Sequence, residues 1–383
     1  MISRRSFVST SSLVATGVAA TAALPRANAQ ERMPATGEAA KVISQEPEYY
    51  NGWGTVARDA NGTLFTVASG GRESHVCPFG RVELMRSHDE GRTWTWPEVL
   101  MDTAIDDRDA GICVTPKGSL LVTTFTSLAY EATLATVPGL LDGVARWNAA
   151  HNRVSAAERQ ALLDTWMLRS PDGGVTWSAA YRVPLNSPHG PVALRDGRLL
   201  YAGKELWTEG QHAGISFSSD DGVTWTPMRR LPVRDGDTVV KYHELHAVEA
   251  PSGKLIVQIR NANSNNEGET LQTESTDGGA TWTTPHSIGV WGLPSHLLRL
   301  RSGRLLMAYG YRRAPFGNQA RWSDDEGATW SAPIAISSDG MGGDLGYPST
   351  VELADGTLYT VWYERLRASP RAVLRAVRWK LSA

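Results

Sequence analysis

Short apolar stretches broken by glycine turns run along nearly the whole chain. Six times a turn glycine is followed two places on by leucine and then by another apolar residue. The copies are Gly62-Thr63-Leu64-Phe65, Gly118-Ser119-Leu120-Leu121, Gly197-Arg198-Leu199-Leu200, Gly253-Lys254-Leu255-Ile256, Gly303-Arg304-Leu305-Leu306 and Gly356-Thr357-Leu358-Tyr359. A strand, a glycine turn and a strongly apolar strand make a β-hairpin. The glycines lie 50–56 residues apart, except for one interval of 79 between Gly118 and Gly197.

A second motif, Ser-x-Asp-x-Gly-x-Thr-Trp, alternates with the hairpins. Its five copies are Ser87 to Trp94, Ser170 to Trp177, Ser218 to Trp225, Ser275 to Trp282 and Ser323 to Trp330. The chemistry is that of a tight turn. Serine and aspartate side chains bond nearby backbone N–H groups, and glycine supplies a left-handed φ. Tryptophan then anchors the turn in an apolar gap. Two hairpin turns per period describe a four-stranded blade, so six central hairpins predict an all-β, six-bladed β-propeller. The sixth repeat lacks the second motif and runs to a terminal strand near 372–381. Closing the ring removes exposed sheet edges, and residues 41–45 are the candidate closing strand.

The long interval holds an insertion. From about 130 to 166 the sequence turns Ala- and Leu-rich, and Ser155-Ala156-Ala157-Glu158 forms a capping box that opens a helix. A helical excursion in blade 2 is expected, set either over the active face or along a blade edge.

Residues 1–29 read as a leader separate from the fold. Ser3-Arg4-Arg5-Ser6-Phe7-Val8 is a twin-arginine region, a mildly apolar run follows from Leu13 to Leu24, and Ala27-Asn28-Ala29 is a cleavage site. The protein is therefore expected to be exported, to the periplasm or beyond. No later apolar stretch is long enough to span a bilayer. Net charge is −2, which gives no reason to expect binding to nucleic acid or an anionic membrane. Cys77 and Cys113 are the only cysteines. Export permits a disulfide, but their spacing does not show one, and they read as two small buried residues. The sequence sets no oligomeric state.

The second motif resembles the Asp boxes of sialidases (neuraminidases), and the resemblance spans about residues 45–365. Asp boxes lie on outer turns and are no evidence of catalysis, so function rests on residues near the ring axis. Four candidates fall where sialidases place functional groups. Tyr347, in Gly346-Tyr347-Pro348-Ser349-Thr350, stands where the resemblance implies a nucleophilic tyrosine. Glu244 stands where it implies the carboxylate that activates that tyrosine. Arg260 matches one arginine of a carboxylate-binding triad, and Arg312 is the match for another, with Arg313 adjacent. The roles are chemically coherent. A phenol with a pKa near 10 is a poor nucleophile at neutral pH unless a carboxylate takes its proton. A neutral nucleophile also suits an anionic substrate, which an Asp or Glu would repel. Guanidinium groups bind a planar carboxylate through two parallel hydrogen bonds.

Two sialidase features are missing. Asn51-Gly52-Trp53-Gly54 stands where the resemblance implies the first arginine of the triad. Gly71-Arg72-Glu73-Ser74-His75 stands near the expected acid/base aspartate. Candidates for that acid are His75, Glu73, Asp107 and Asp109, the aspartates belonging to Asp106-Asp107-Arg108-Asp109. Arg72, His189 and His296 are candidate substrate ligands, and His243 and His246 flank Glu244. A histidine can act as acid or base near neutral pH. No spacing has the force of a metal motif, so no metal or cofactor is expected. The expected function is an exo-acting, retaining glycosidase that releases a sialic acid or a related acidic sugar from a glycan. A uronic-acid glycosidase, a lyase and a non-catalytic glycan-binding or assembly-factor propeller remain as alternatives.

Overall fold

The computed structural model describes residues 33–34, 36–135 and 143–381; the leader expected at 1–29 and the centre of the insertion lie outside the described residues. Six sheets form the expected six-bladed propeller, antiparallel throughout except where Met33–Pro34 pairs parallel with Ile334–Ala335 at the edge of blade 5. Blade 1 is Tyr50–Arg58, Leu64–Arg72, Arg81–Ser87 and Glu98–Met101. Blade 2 is Asp106–Val114, Leu120–Ser127, Thr165–Ser170 and Tyr181–Arg182. Blade 3 is Val192–Ala193, Leu199–Lys204, Ala213–Ser218 and Arg229–Arg230. Blade 4 is Tyr242–Glu249, Leu255–Asn261, Glu269–Ser275 and His286–Trp291. Blade 5 is Leu293–Arg299, Leu305–Tyr311, Gly317–Ser323 and Ile334–Ser337. Blade 6 is Leu345–Glu352, Leu358–Arg365 and Ala372–Lys380, completed by Thr36–Gly37 and Lys41–Val42, which both pair antiparallel with Ala372–Lys380. The ring thus closes through residues just upstream of the first blade, over a slightly different span from the 41–45 expected.

The five repeated turns are built alike. In each, the serine Oγ donates to the aspartate Oδ1 at 2.7–2.8 Å and accepts the glycine N–H at 2.7–2.9 Å. The threonine Oγ1 donates to the aspartate Oδ2 at 2.5–2.6 Å. These donors hold each of the five carboxyls below its ordinary pKa. Each motif tryptophan packs into an apolar cluster shared with the preceding blade. Trp330 of blade 5, for example, joins Ile256 of blade 4, and Trp94 of blade 1 joins Tyr359 of blade 6. Blade 6 lacks the motif, and there Trp379 of its third strand fills the gap against Leu306 and Ala320 of blade 5.

The insertion joins the second and third strands of blade 2. It contains α1 (Gly143–Asn152) and α2 (Ala156–Leu162), and Ser155 and Glu158 make the capping box. It packs on the loop that follows the second strand of blade 1. The Trp147 indole is buried and donates to Glu73 Oε2 at 2.6 Å, and Trp147 packs with Cys77, Ile105 and Tyr130. That loop carries His75, so the insertion braces one wall of the channel mouth. Cys77 and Cys113 are both free and buried. No helix among the described residues is long and apolar enough to cross a membrane.

Candidate functional site

One backbone feature builds the site. The innermost strand of a blade runs along the axis, and in blades 1, 2, 4, 5 and 6 its register shifts by a bulge at the same level. In four of these one residue takes a left-handed φ of 45–56°: Trp53, Asp109, Glu244 and Tyr347. Such a conformation costs a non-glycine residue about 1–3 kcal/mol, and bulges re-aim side chains beside active sites. Here they gather four groups from four blades.

Tyr347 and Glu244 meet directly. The Tyr347 hydroxyl donates to Glu244 Oε1 at 2.5 Å. Both Glu244 oxygens accept from Arg260 Nη1, at 2.7 and 2.6 Å, and the same Nη1 lies 3.4 Å from the Tyr347 oxygen. Burial alone would raise the Glu244 pKa, but Arg260, the Tyr347 hydroxyl and Arg312 hold it below its ordinary value. Burial and the Glu244 charge together push the Tyr347 phenol well above 10. The pair is thus a protonated phenol against an ionised carboxylate. Arg312 lies with its guanidinium carbon 5.8 Å from the Tyr347 ring centre, and its Nε donates to Leu345 O at 3.0 Å. Arg313 instead stacks at 3.7 Å on Trp291, so the two neighbours part and Arg312 faces the tyrosine. Behind Tyr347, Gly310 admits the chain closely: a Cβ there would sit 2.9 Å from Gly346 Cα.

The acid candidates separate. Asp109 is buried, with Oδ1 lacking any protein partner. Burial raises its pKa to about 7, with Glu244 adding and Arg108 opposing. Asp107 does not face the axis. It is fully buried and accepts from the Thr103 N–H and Oγ1 at 2.7 and 2.9 Å, so it belongs to the wall. Arg72 is likewise removed from the substrate ligands: its buried guanidinium makes two bonds to Asp106, at 2.5 and 2.9 Å. Glu73 is held by Trp147. His75 stands at the rim, with 47% of its side chain exposed and Nδ1 2.9 Å from Asp344 Oδ1. Asp344 also accepts from Tyr50 and Tyr363.

His189 and His296 lie close to the tyrosine but below it. With His246 they form a packed trio: His246 and His296 stack at 4.6 Å, and His189 stands edge-on to both and 6.4 Å from the Tyr347 ring. Burial depresses all three, His296 to about 3 and the others well below 6.5. They are neutral imidazoles packed against one another, and His189 Nε2 is buried without a protein partner, so of the expected substrate ligands His189 lies against Tyr347 as an uncharged group. The linkage has a definite sign. Unfolded histidines take up protons below about 6.5 while the folded trio does not, so the contribution of the trio is complete above that pH and is lost as pH falls. Each histidine costs about 2 kcal/mol at pH 5. Asp107 and Asp109 act oppositely, because their raised values favour the folded state on acidification. Urea melts at pH 7.5 and 5 should therefore show His246→Leu/His296→Leu losing about 4 kcal/mol less than the parent on acidification. Equal losses would show that the trio is not held neutral.

Several groups at the site were not singled out from the sequence. In register, the second strands place Ser69, Phe125, Lys204, Arg260, Gly310 and Tyr363 at equivalent positions, five residues beyond each hairpin leucine. That count finds Lys204 and Tyr363. Lys204 is buried; its amine donates to Val240 O at 2.6 Å, and burial lowers its pKa to about 8. Trp53, where an arginine was expected, is buried among Tyr50, His75, Tyr347 and Tyr363. Among the described residues, no group of three or more His, Cys, Asp or Glu side chains is arranged to hold a metal ion.

Comparison with known proteins agrees with this architecture. A family model described as a BNR repeat-like domain matches residues 147–360. No curated protein matches in sequence. A protein of unknown function from Dyadobacter fermentans superposes with TM-score 0.72 and 22% identity, over 90% of this chain and 99% of that one. An intramolecular trans-sialidase from Ruminococcus gnavus gives TM-score 0.62 and 14% identity, over 89% and 96%. A Hadza microbial sialidase gives 0.61 and 20%, over 87% of this chain and 66% of that one. At these identities the likeness is one of fold.

Proposed function

The chain belongs to the BNR repeat-like domain family and carries the sialidase fold, and we propose that it is a retaining exo-glycosidase acting on a terminal acidic sugar. The observation that carries this reading is the 2.5 Å bond between the Tyr347 hydroxyl and a Glu244 carboxylate kept ionised by Arg260. A binding protein has no use for a phenol held against an ionised base that can take its proton as a bond forms. In the first step the Tyr347 oxygen attacks the anomeric carbon, its proton passes to Glu244, and the bond to the leaving oxygen breaks. Asp109, a carboxylic acid at slightly acid pH, protonates that oxygen. In the second step Asp109 takes a proton from water, which displaces the tyrosine, and Glu244 returns the phenol proton. Arg260 and Arg312 hold the sugar's negative charge. On this reading the enzyme works outside the cytoplasm, which rests on residues 1–29 of the sequence alone.

The test is a panel of aryl glycosides at pH 5–8, spanning N-acetylneuraminic acid, its deaminated analogue and several uronic acids. Release of the aryl group from an acidic sugar, with none from neutral hexosides, is the expected result. Cleavage of neutral hexosides alone would overturn the substrate class. An unsaturated product absorbing in the near ultraviolet would make the enzyme a lyase.

A further inference from the structure

Among the described residues, Arg108 is a channel guanidinium that the protein leaves largely unpaired. Arg108 lies on the inner strand of blade 2, one residue before Asp109, and its side chain is only 11% exposed. Its Nε is buried without a partner. Its one ion pair among the described residues is a 3.9 Å approach to Asp106, a carboxylate already engaged by both outer nitrogens of Arg72. Its other neighbours are aromatic faces: the guanidinium carbon stands 4.7 Å from the Trp53 ring centre and 6.0 Å from that of Phe125. An indole face steadies a guanidinium without consuming its donors, whereas a buried N–H left unsatisfied costs its full desolvation. Such a group is maintained where a ligand completes it.

The surrounding charges point to the ligand's sign. Arg260 is matched by Glu244, and Asp344 accepts from His75, Tyr50 and Tyr363. Arg108 and Arg312 face the Trp53–Tyr347 region, Arg312 with no ion pair among the described residues and Arg108 with only the long approach to Asp106 and its neighbour Asp109. Trp53 occupies the bulge of blade 1, and Arg108 reaches across from blade 2 to lie on it. We propose that Arg108 is a specificity-determining residue that receives the carboxylate of the substrate sugar, with Trp53 as the platform that aims it. This rests on the acidic-sugar reading and assigns the residue that enforces it. The planar fork suits a carboxylate, which it can meet through two parallel bonds.

The experiment is titration calorimetry with N-acetylneuraminic acid and glucuronate, each beside its neutral methyl ester, on the parent, Arg108→Gln and Arg108→Lys. The parent is expected to favour at least one acid over its ester. Arg108→Gln should weaken that acid about 10- to 100-fold and the ester little. Arg108→Lys, which keeps the charge but not the fork, should fall between and guards against a glutamine variant that fails to fold. Unchanged acid binding in both variants, with the parent still preferring the acid, overturns the role of Arg108 alone. A parent that binds neither acid overturns the acidic-sugar reading as well.

Discussion

Tyr347→Phe is expected to lower turnover of an aryl glycoside by about four to six orders of magnitude, the range seen when a covalent nucleophile is removed. The change deletes one oxygen and leaves the ring that packs against Trp53, Tyr363 and His189. Glu244 keeps both bonds from Arg260, so no charge is stranded. The lost hydrogen bond should lower stability by about 1–3 kcal/mol, which circular dichroism melts would register as a shift of a few degrees. The discriminating pair of measurements is therefore kcat against melting temperature. Activity within tenfold of the parent would exclude the phenol as nucleophile. A trapped glycosyl adduct on Tyr347, seen by mass spectrometry with a fluorinated substrate, would identify it positively.

Asp109→Asn should cost about 10²–10⁴ in kcat/KM on an alkyl or disaccharide substrate, and should change the pH profile in a way a structural role would not. The carboxyl is protonated below about 7 and ionised above, so parental kcat/KM should fall tenfold per unit on the alkaline side. On the acid side activity should hold until Glu244 takes a proton, below the ordinary range for a glutamate. Asparagine cannot ionise, so the alkaline limb should vanish. A nitrophenyl leaving group departs without a proton, and with it the loss should shrink to a few-fold. If instead both substrates suffer equally and the limb persists, Asp109 is not the acid, and His75 at the rim is next to test.

The fold was legible because a propeller repeats its turns, and the chemistry of those turns requires the same serine, aspartate, glycine and tryptophan each time. The site was less so, because its unit is a backbone kink that places no demand on residue type. Trp53, Asp109, Glu244 and Tyr347 share a conformation and a place, nine residues before the hairpin glycine, but no residue type that would mark them. The aspartates of blade 2 show the difficulty. Strict strand alternation would send Asp107 and Asp109 to one face, and the kink between Arg108 and Gly111 breaks that alternation. Asp107 consequently turns to Thr103, while Asp109 sits close enough to Glu244 and Tyr347 to raise both its own pKa and that of the phenol. Arg72 was misplaced for a related reason: its partner Asp106 comes from the next blade, and a pair of that separation leaves no local pattern. The proposed tyrosine, glutamate and arginines are marked in the sequence only by the family resemblance and their order relative to the hairpins.

The strap formed by Thr36–Val42 has a consequence for how the ring is made. It pairs with Ala372–Lys380, so the sheet of blade 6 unites early and late residues, and Met33–Pro34 adds a short edge to blade 5 in the same way. Five blades can be assembled from neighbouring hairpins as the chain emerges, but the sixth waits for its last strand. Joining such distant partners carries the largest loop-closure entropy in the molecule, and contacts of that sequence separation slow folding. Until they form, the third strand of blade 6 is an open edge of the kind that recruits other chains. Tyr347, the proposed nucleophile, stands on the inner strand of that blade, so on that reading the part of the ring that completes last also carries the reacting group. An incompletely closed ring would be both inactive and prone to associate.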